Sequence, residues 1–266
     1  MKQHPTKIDI AVLIGLPVIS LILSLLFRSP YHVFTTLFFY GLPSLYLIFR
    51  YKEYFYAFKG LIYVLIVATP IAIIVDYIGI SSGLWFDPYS IFVNRFLGVI
   101  PLEDLIWMYS ATYLIMIFYQ TFLDIGKKEL INKKIIKFII PALIALAIFF
   151  VLVLTNNSQI FFWHSKYTYT ILCTIFFLLP SIIFLLFFPH FLKKSLSITV
   201  YFFYVTTFLE LTTTYLNQWV FKGEYIIKPF SLFGFGLVSF EELFFVGIVG
   251  PIAAIAFYEF FDDDLV

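Results

Sequence analysis

The chain has 266 residues, 62% of them apolar and 12% charged, against roughly 25% charged in soluble domains. That composition excludes a soluble globular surface, and a net charge of +1 excludes the basic field that would argue for nucleic acid. The only cysteine, Cys173, sits in an apolar run and reads as a small core residue, which excludes an internal disulfide or a thiolate metal cluster.

Apolar runs fall near residues 10–27, 32–49, 60–78, 98–123, 135–154, 167–189, 196–218 and 237–261. A bilayer span needs about 20 mostly apolar residues, so the expected fold is an all-α, polytopic transmembrane bundle of eight helices with short loops. The first run follows Lys2 and Lys7 and is followed by Arg28, Ser29 and Pro30 with no small-residue cleavage site, which marks a retained span rather than a signal peptide. Alternating the loops between two sides puts Lys2, Lys7, Arg50, Lys52, Lys59, Lys127, Lys128, Lys133, Lys134, Lys137, Lys193 and Lys194 together. Arg28, Arg95, Lys166, Lys222 and Lys228 fall on the other side. This 12 to 5 asymmetry predicts a plasma-membrane protein with both termini cytoplasmic. Two outer loops, 79–97 and 219–236, are long and carry Gly, Pro and aromatic residues, as re-entrant or interfacial segments do. The basic stretch 124–137 reads as a juxtamembrane loop and divides the chain almost in half.

The two halves carry one pattern. Asp76 precedes Trp85 by nine residues, and Gly98, Pro101, Leu102, Glu103 and Asp104 follow. Glu210 precedes Trp219 by nine residues, and Gly236, Ser239, Phe240, Glu241 and Glu242 follow. An offset of 134 lays helix 2 on helix 6 and helix 3 on helix 7, so residues 1–134 and 135–266 are expected to be two four-helix repeats. An even number of helices per repeat makes the copies parallel, related by an axis along the membrane normal.

Asp76, Glu103, Asp104, Glu210, Glu241 and Glu242 lie inside four of the apolar runs, toward their outer ends, and no Lys or Arg lies within those four. An ionised acid at mid-membrane costs about 2.5–3.5 kcal/mol, so clustering the six and keeping some protonated is the cheaper arrangement. A neutral carboxyl beside an ionised one is what general acid and base chemistry needs. Acids at helix starts also complement the helix dipole, and this second role stays open for both pairs. Neighbours on a helix diverge by about 100°, so each pair supplies one active and one supporting carboxyl. Glu103 and Glu241 are the expected proton-transfer groups, with Asp104, Glu242, Asp76 and Glu210 tuning or relaying the proton.

Aromatic residues make up 22% of the chain, with 36 Phe and 19 Tyr. Trp107, Phe244 and Phe245 follow the motif acids at helical spacing, where an aromatic face stabilises a cation by about 0.5–2 kcal/mol. Ordinary helix packing explains them equally well. Trp85 and Trp219 read as interfacial anchors or as part of the site, and Arg95 as a partner of an acid or a headgroup contact. His4, His32, His164 and His190 are scattered among loops and ends, so no metal site is expected. No cofactor is expected either: the dinucleotide glycine fingerprint, a mid-helix retinal lysine and paired magnesium motifs are missing, and Asp262–Asp264 read as an exposed tail.

The motifs Asp76, Gly79, Gly83 and Trp85, Gly98 with PLED at 101–104, and Glu210, Trp219, Gly236 with SFEE at 239–242 resemble those of the integral-membrane lycopene cyclases, the flavin-free bacterial, archaeal and fungal type. In some bacteria the halves are separate subunits; here they look fused. The resemblance covers roughly 60–123 and 196–258, and departs at Ser239, where the family has proline, and at Asp104, where it has glutamate. It implies acid-catalysed, non-redox cyclisation of a linear carotenoid, with Trp85, Trp107, Trp219, Phe244 and Phe245 near the substrate. It also implies a lipid bilayer around the chain and contact with other carotenoid-pathway enzymes. A hydratase acting on a carotenoid, a proton-coupled transporter and a pigment-binding protein are the competing expectations.

Overall fold

The structure is a computed structural model that describes residues 5–51, 54–124, 136–155, 158–232 and 234–262. Lys2, Lys52, Lys127, Lys128, Lys133, Lys134 and the end of the acidic tail lie outside the described residues. Among the described residues there are eight long helices: α1 (Lys7–Phe27), α2 (His32–Tyr51), α3 (Phe58–Ser81), α4 (Leu102–Phe122), α5 (Ile136–Leu154), α6 (Thr168–Phe187), α7 (Pro189–Tyr215) and α8 (Phe240–Phe260). Seven are long and apolar enough to cross a membrane, and α5 counts as apolar over Leu143–Leu154, shorter than a span. Exposed Ile10, Ile14, Val18 and Ile22 on α1 suit contact with lipid, while Leu13, Tyr40, Leu114, Phe202 and Tyr258 join α1, α2, α4, α7 and α8 in one core.

Helix starts follow local capping more closely than hydropathy. Thr6 and Asp9 form a capping box, which begins α1 at Lys7 rather than near residue 10. Pro101 is extended, with φ −60° and ψ 140°, and Gly98 adopts φ 76°, so residues 98–101 make a turn and α4 starts only at Leu102. Ser239 caps α8 by accepting from the Glu242 N–H.

Four helices contain a π-helical segment: Leu37–Gly41 in α2, Val64–Ala68 in α3, Thr174–Leu178 in α6 and Leu243–Val249 in α8. Each ends two residues before a proline, namely Pro43, Pro70, Pro180 and Pro251. Proline removes an N–H and pushes away the carbonyl one turn earlier, which the wider π turn accommodates. The segments in α2 and α6 lie 137 positions apart, and each is followed by Leu-Pro-Ser, whose serine hydroxyl donates to the carbonyl four residues back at 2.7 Å. The offset of 134 expected from the motifs therefore fails for this helix pair, because the loops before α3 and α7 differ in length.

The two long loops, 79–97 and 219–236, pack on each other. β1 (Trp85–Phe86) pairs antiparallel with β2 (Val220–Phe221), with Phe86 opposite Val220, 134 positions on. β3 (Phe230–Ser231) pairs with β4 (Leu237–Val238).

Candidate functional site

A cavity runs inward from these paired loops. Its walls repeat at helical spacing: Tyr63, Val67, Ile71, Val75 and Asp76 from α3, Asp104, Trp107, Met108, Ala111 and Ile115 from α4, and Glu242, Val246, Gly250, Ala254 and Phe257 from α8. Cys173 lines it from α6, and Trp85, Trp219 and Phe221 close it from the loops. The rotation of about 100° between successive helical positions decides which acid of each pair enters. Asp104 and Glu242 line the cavity, whereas Glu103 and Glu241 face away.

Glu103 and Glu241 instead hold the outer loops. Glu103 accepts from the Ser90 hydroxyl at 2.9 Å and from the Ile91 and Phe92 N–H groups. Glu241 accepts from the Ile227 N–H at 3.0 Å and the Ser239 hydroxyl at 3.3 Å. Both are buried, so these contacts satisfy carboxylates that would otherwise be costly.

The cavity acids are less well served. Asp76 Oδ2 is buried without a hydrogen-bond partner, and Glu242 accepts from the Tyr169 hydroxyl. Asp104 Oδ1 lies 3.1 Å from His32 Nε2, and Asp87 Oδ2 lies 3.4 Å from the same nitrogen. Burial pushes the Asp87 carboxyl up, but the adjacent His32 outweighs it and holds Asp87 below the usual carboxylate range. Glu210 stands just behind the wall and accepts from Trp219 Nε1 at 3.3 Å.

Trp107 and Trp219 meet edge to face with centroids 5.6 Å apart, and His32 lies 5.5 Å from the Trp219 ring. Trp85 lies across α3, where a Cβ on Gly79 would collide with its indole. All three tryptophans line the cavity. Phe244 and Phe245, expected beside the substrate, are not on its wall: they pack on each other at 5.1 Å, and Phe244 stacks on Phe240. The α8 stripe that reaches the cavity runs through Glu242 and Val246, which leaves residues 244 and 245 on other faces. Arg95 donates to the Val99 carbonyl at 3.1 Å within its loop, and among the described residues it makes no ion pair with a motif acid. Tyr225 donates to the Leu84 carbonyl at 2.9 Å, and burial pushes its phenol well above the ordinary range, so it stays a donor.

Sequence reasoning missed His32, Asp87 and Tyr169. His32 was grouped with residues at span ends and Asp87 with a loop, and only the fold brings them to Asp104. The Leu-Pro-Ser match at 137 positions would have aligned His32 with Tyr169, each of which faces the second acid of its own half.

A second polar cluster lies at the opposite end of the bundle. Lys59, expected in a loop, is buried within α3, and Glu259 is buried in α8. Lys59 Nζ lies 5.3 Å from the Tyr258 ring and Lys194 Nζ 5.2 Å from the Tyr119 ring. Tyr119 donates to Glu259, Gln120 donates to Tyr258, and Lys194 pairs with Asp124 at 2.8 Å.

Comparison with protein-family models, with curated proteins and with solved structures yields no match for this chain.

Proposed function

We propose that the chain is a carotenoid end-group cyclase of the lycopene cyclase type, built from two parallel four-helix repeats with eight spans and both termini on the cytoplasmic side. The observation that carries this reading is that acids from both halves, Asp76 and Asp104 from one and Glu242 from the other, gather at one end of a single apolar cavity.

Two sets of contacts support the repeat. At the outer end Phe86 pairs with Val220. At the inner end each lysine lies over a tyrosine of the other half, Lys59 on Tyr258 and Lys194 on Tyr119. The π segments of α3 and α8 each insert one residue absent from α7 and α4. That insertion brings Lys59 into register with Lys194 and Tyr119 with Tyr258. A twofold axis along the membrane normal relates such crosswise pairs.

From Asp76 to Tyr63 the α3 wall spans thirteen residues, about 20 Å at 1.5 Å per residue. An end group and much of a linear polyene fit along such a wall. Glu242, hydrogen-bonded to Tyr169, donates its proton to the terminal double bond and leaves a tertiary cation. The next double bond attacks that carbon and closes a six-membered ring, moving the positive charge into it. Asp76 then takes a ring proton, so that no atoms or electrons are lost and the net reaction is an isomerisation. Trp85, Trp107 and Trp219 stabilise the cation by about 0.5–2 kcal/mol each, and the dry wall protects it from water. Relative to the sequence expectation, proton transfer passes from Glu103 and Glu241 to the acids that face the cavity.

Expression in cells that accumulate lycopene, followed by chromatography of the pigments, tests the proposal. A ringed carotenoid is the expected product. Unchanged lycopene beside stable membrane protein overturns the reading, and a hydroxylated end group identifies a hydratase instead.

A further inference from the structure

We propose that His32, Asp87 and Asp104 bind one divalent transition-metal ion at the outer end of the cavity. The three come from separate elements: the first residue of α2, the loop between α3 and α4, and the first turn of α4. One ligand atom from each lies within 4.8 Å of the others. The two separations from His32 Nε2, 3.4 Å to Asp87 and 3.1 Å to Asp104, match those of donors sharing an ion. Metal bonds of about 2.0–2.2 Å place neighbouring ligand atoms about 3.0–3.5 Å apart.

Well-aligned hydrogen bonds do not account for this geometry, in which the His32 ring lies at ion-pair distance from both carboxylates. Both ring nitrogens of His32 and all four carboxylate oxygens of Asp87 and Asp104 are buried without a hydrogen-bond partner, even though two of the separations are short enough for one. The oxygens therefore lie off the line along which the ring N–H would point. Ligands around an ion have that arrangement, because each faces the metal rather than its neighbour. Buried polar groups in native interiors are otherwise paired, and buried charges are paired or bound to metal.

Charge points the same way. Asp76, Asp87, Glu103, Asp104, Glu210, Glu241 and Glu242 are all buried at this end, against one buried imidazole. A dication held by Asp87 and Asp104 offsets two of these charges and leaves no net positive field beside the cavity. One imidazole with two carboxylates suits Zn²⁺ or Mn²⁺, and a three-ligand site keeps a coordination position open. The second half lacks the set: Tyr169 faces Glu242 there, and Phe221, one residue beyond the partner of Phe86, stands where the first half has Asp87. The stoichiometry is therefore one ion per chain, and Asp104 is a ligand, which leaves Glu242 and Asp76 free for proton transfer.

The test is metal analysis of the full chain purified in detergent, incubated with Zn²⁺ or Mn²⁺ and desalted. Wild type is expected to retain about one equivalent, and His32→Ala and Asp87→Asn each less than about a tenth, while Glu259→Gln at the inner end retains the wild-type amount. Wild type holding less than about a tenth of an equivalent of either ion overturns the proposal, as does His32→Ala binding as much as wild type. Should the variants fail to accumulate, Co²⁺ loading of wild type decides: visible bands of a nitrogen and oxygen ligand set support the site, and their absence overturns it. None of these readouts depends on carotenoid turnover.

Discussion

The bundle has a polar cluster at each end, and the two are built differently. At the inner end Lys59 and Lys194 lie over Tyr258 and Tyr119, Tyr119 donates to Glu259, Gln120 donates to Tyr258, and Lys194 pairs with Asp124. At the outer end acids outnumber cations, several oxygens lack donors, and an apolar cavity opens onto them. A cluster that pairs acids with cations joins helices, whereas the acid-rich one beside empty space fits the ligand and the proton proposed above. The same contrast recurs within each motif. Glu103 and Glu241 are saturated by backbone and serine donors, and their neighbours Asp104 and Glu242 face the cavity.

The largest effect expected from this contrast is at Glu242. Glu242→Gln keeps the shape but removes the proton, and should lower cyclisation in lycopene-accumulating cells by about 100-fold or more at unchanged protein level. Normal cyclisation in this variant would break the distinction between the ends. Asp124→Asn at the inner end should do the reverse. Loss of its 2.8 Å pair with the part-buried Lys194 costs about 2–3 kcal/mol in thermal unfolding, with turnover per folded molecule preserved. A double-mutant cycle with Lys194→Met measures the coupling. Glu103→Gln should cost about 1.5–3 kcal/mol through its loop contacts, with turnover again falling far less than in Glu242→Gln. Equal loss of turnover in the two variants would restore Glu103 as a proton-transfer group. Smallest is Thr6→Ala, which removes the α1 cap, costs about 1 kcal/mol of stability and leaves turnover unchanged.

Much of the fold was legible because membrane spans depend on local composition. The apolar runs locate the helices, and the acid pairs at 103–104 and 241–242 were visible as buried groups without looking at any contact. Which acid of each pair faces the cavity was not legible, since two neighbours differ only by helix rotation, and rotation is set by packing. Lys59 looked like a loop cation because the apolar run begins just after it, yet α3 carries it inside beneath the Tyr258 ring of α8. Phe244 and Phe245 looked like site residues by spacing alone, and the observed α8 stripe turns them elsewhere.

By itself the sequence determined a membrane-embedded helical bundle and six of the acids that are buried in it. These follow from transfer free energy and backbone chemistry, which act residue by residue. Only the tertiary structure decided that acids of both halves share one cavity, that His32 and Asp87 join Asp104, and that the inner lysines cross to tyrosines of the other half. Those contacts link residues up to about 200 positions apart, and no local preference specifies them; they exist because packing the helices brings these buried groups together.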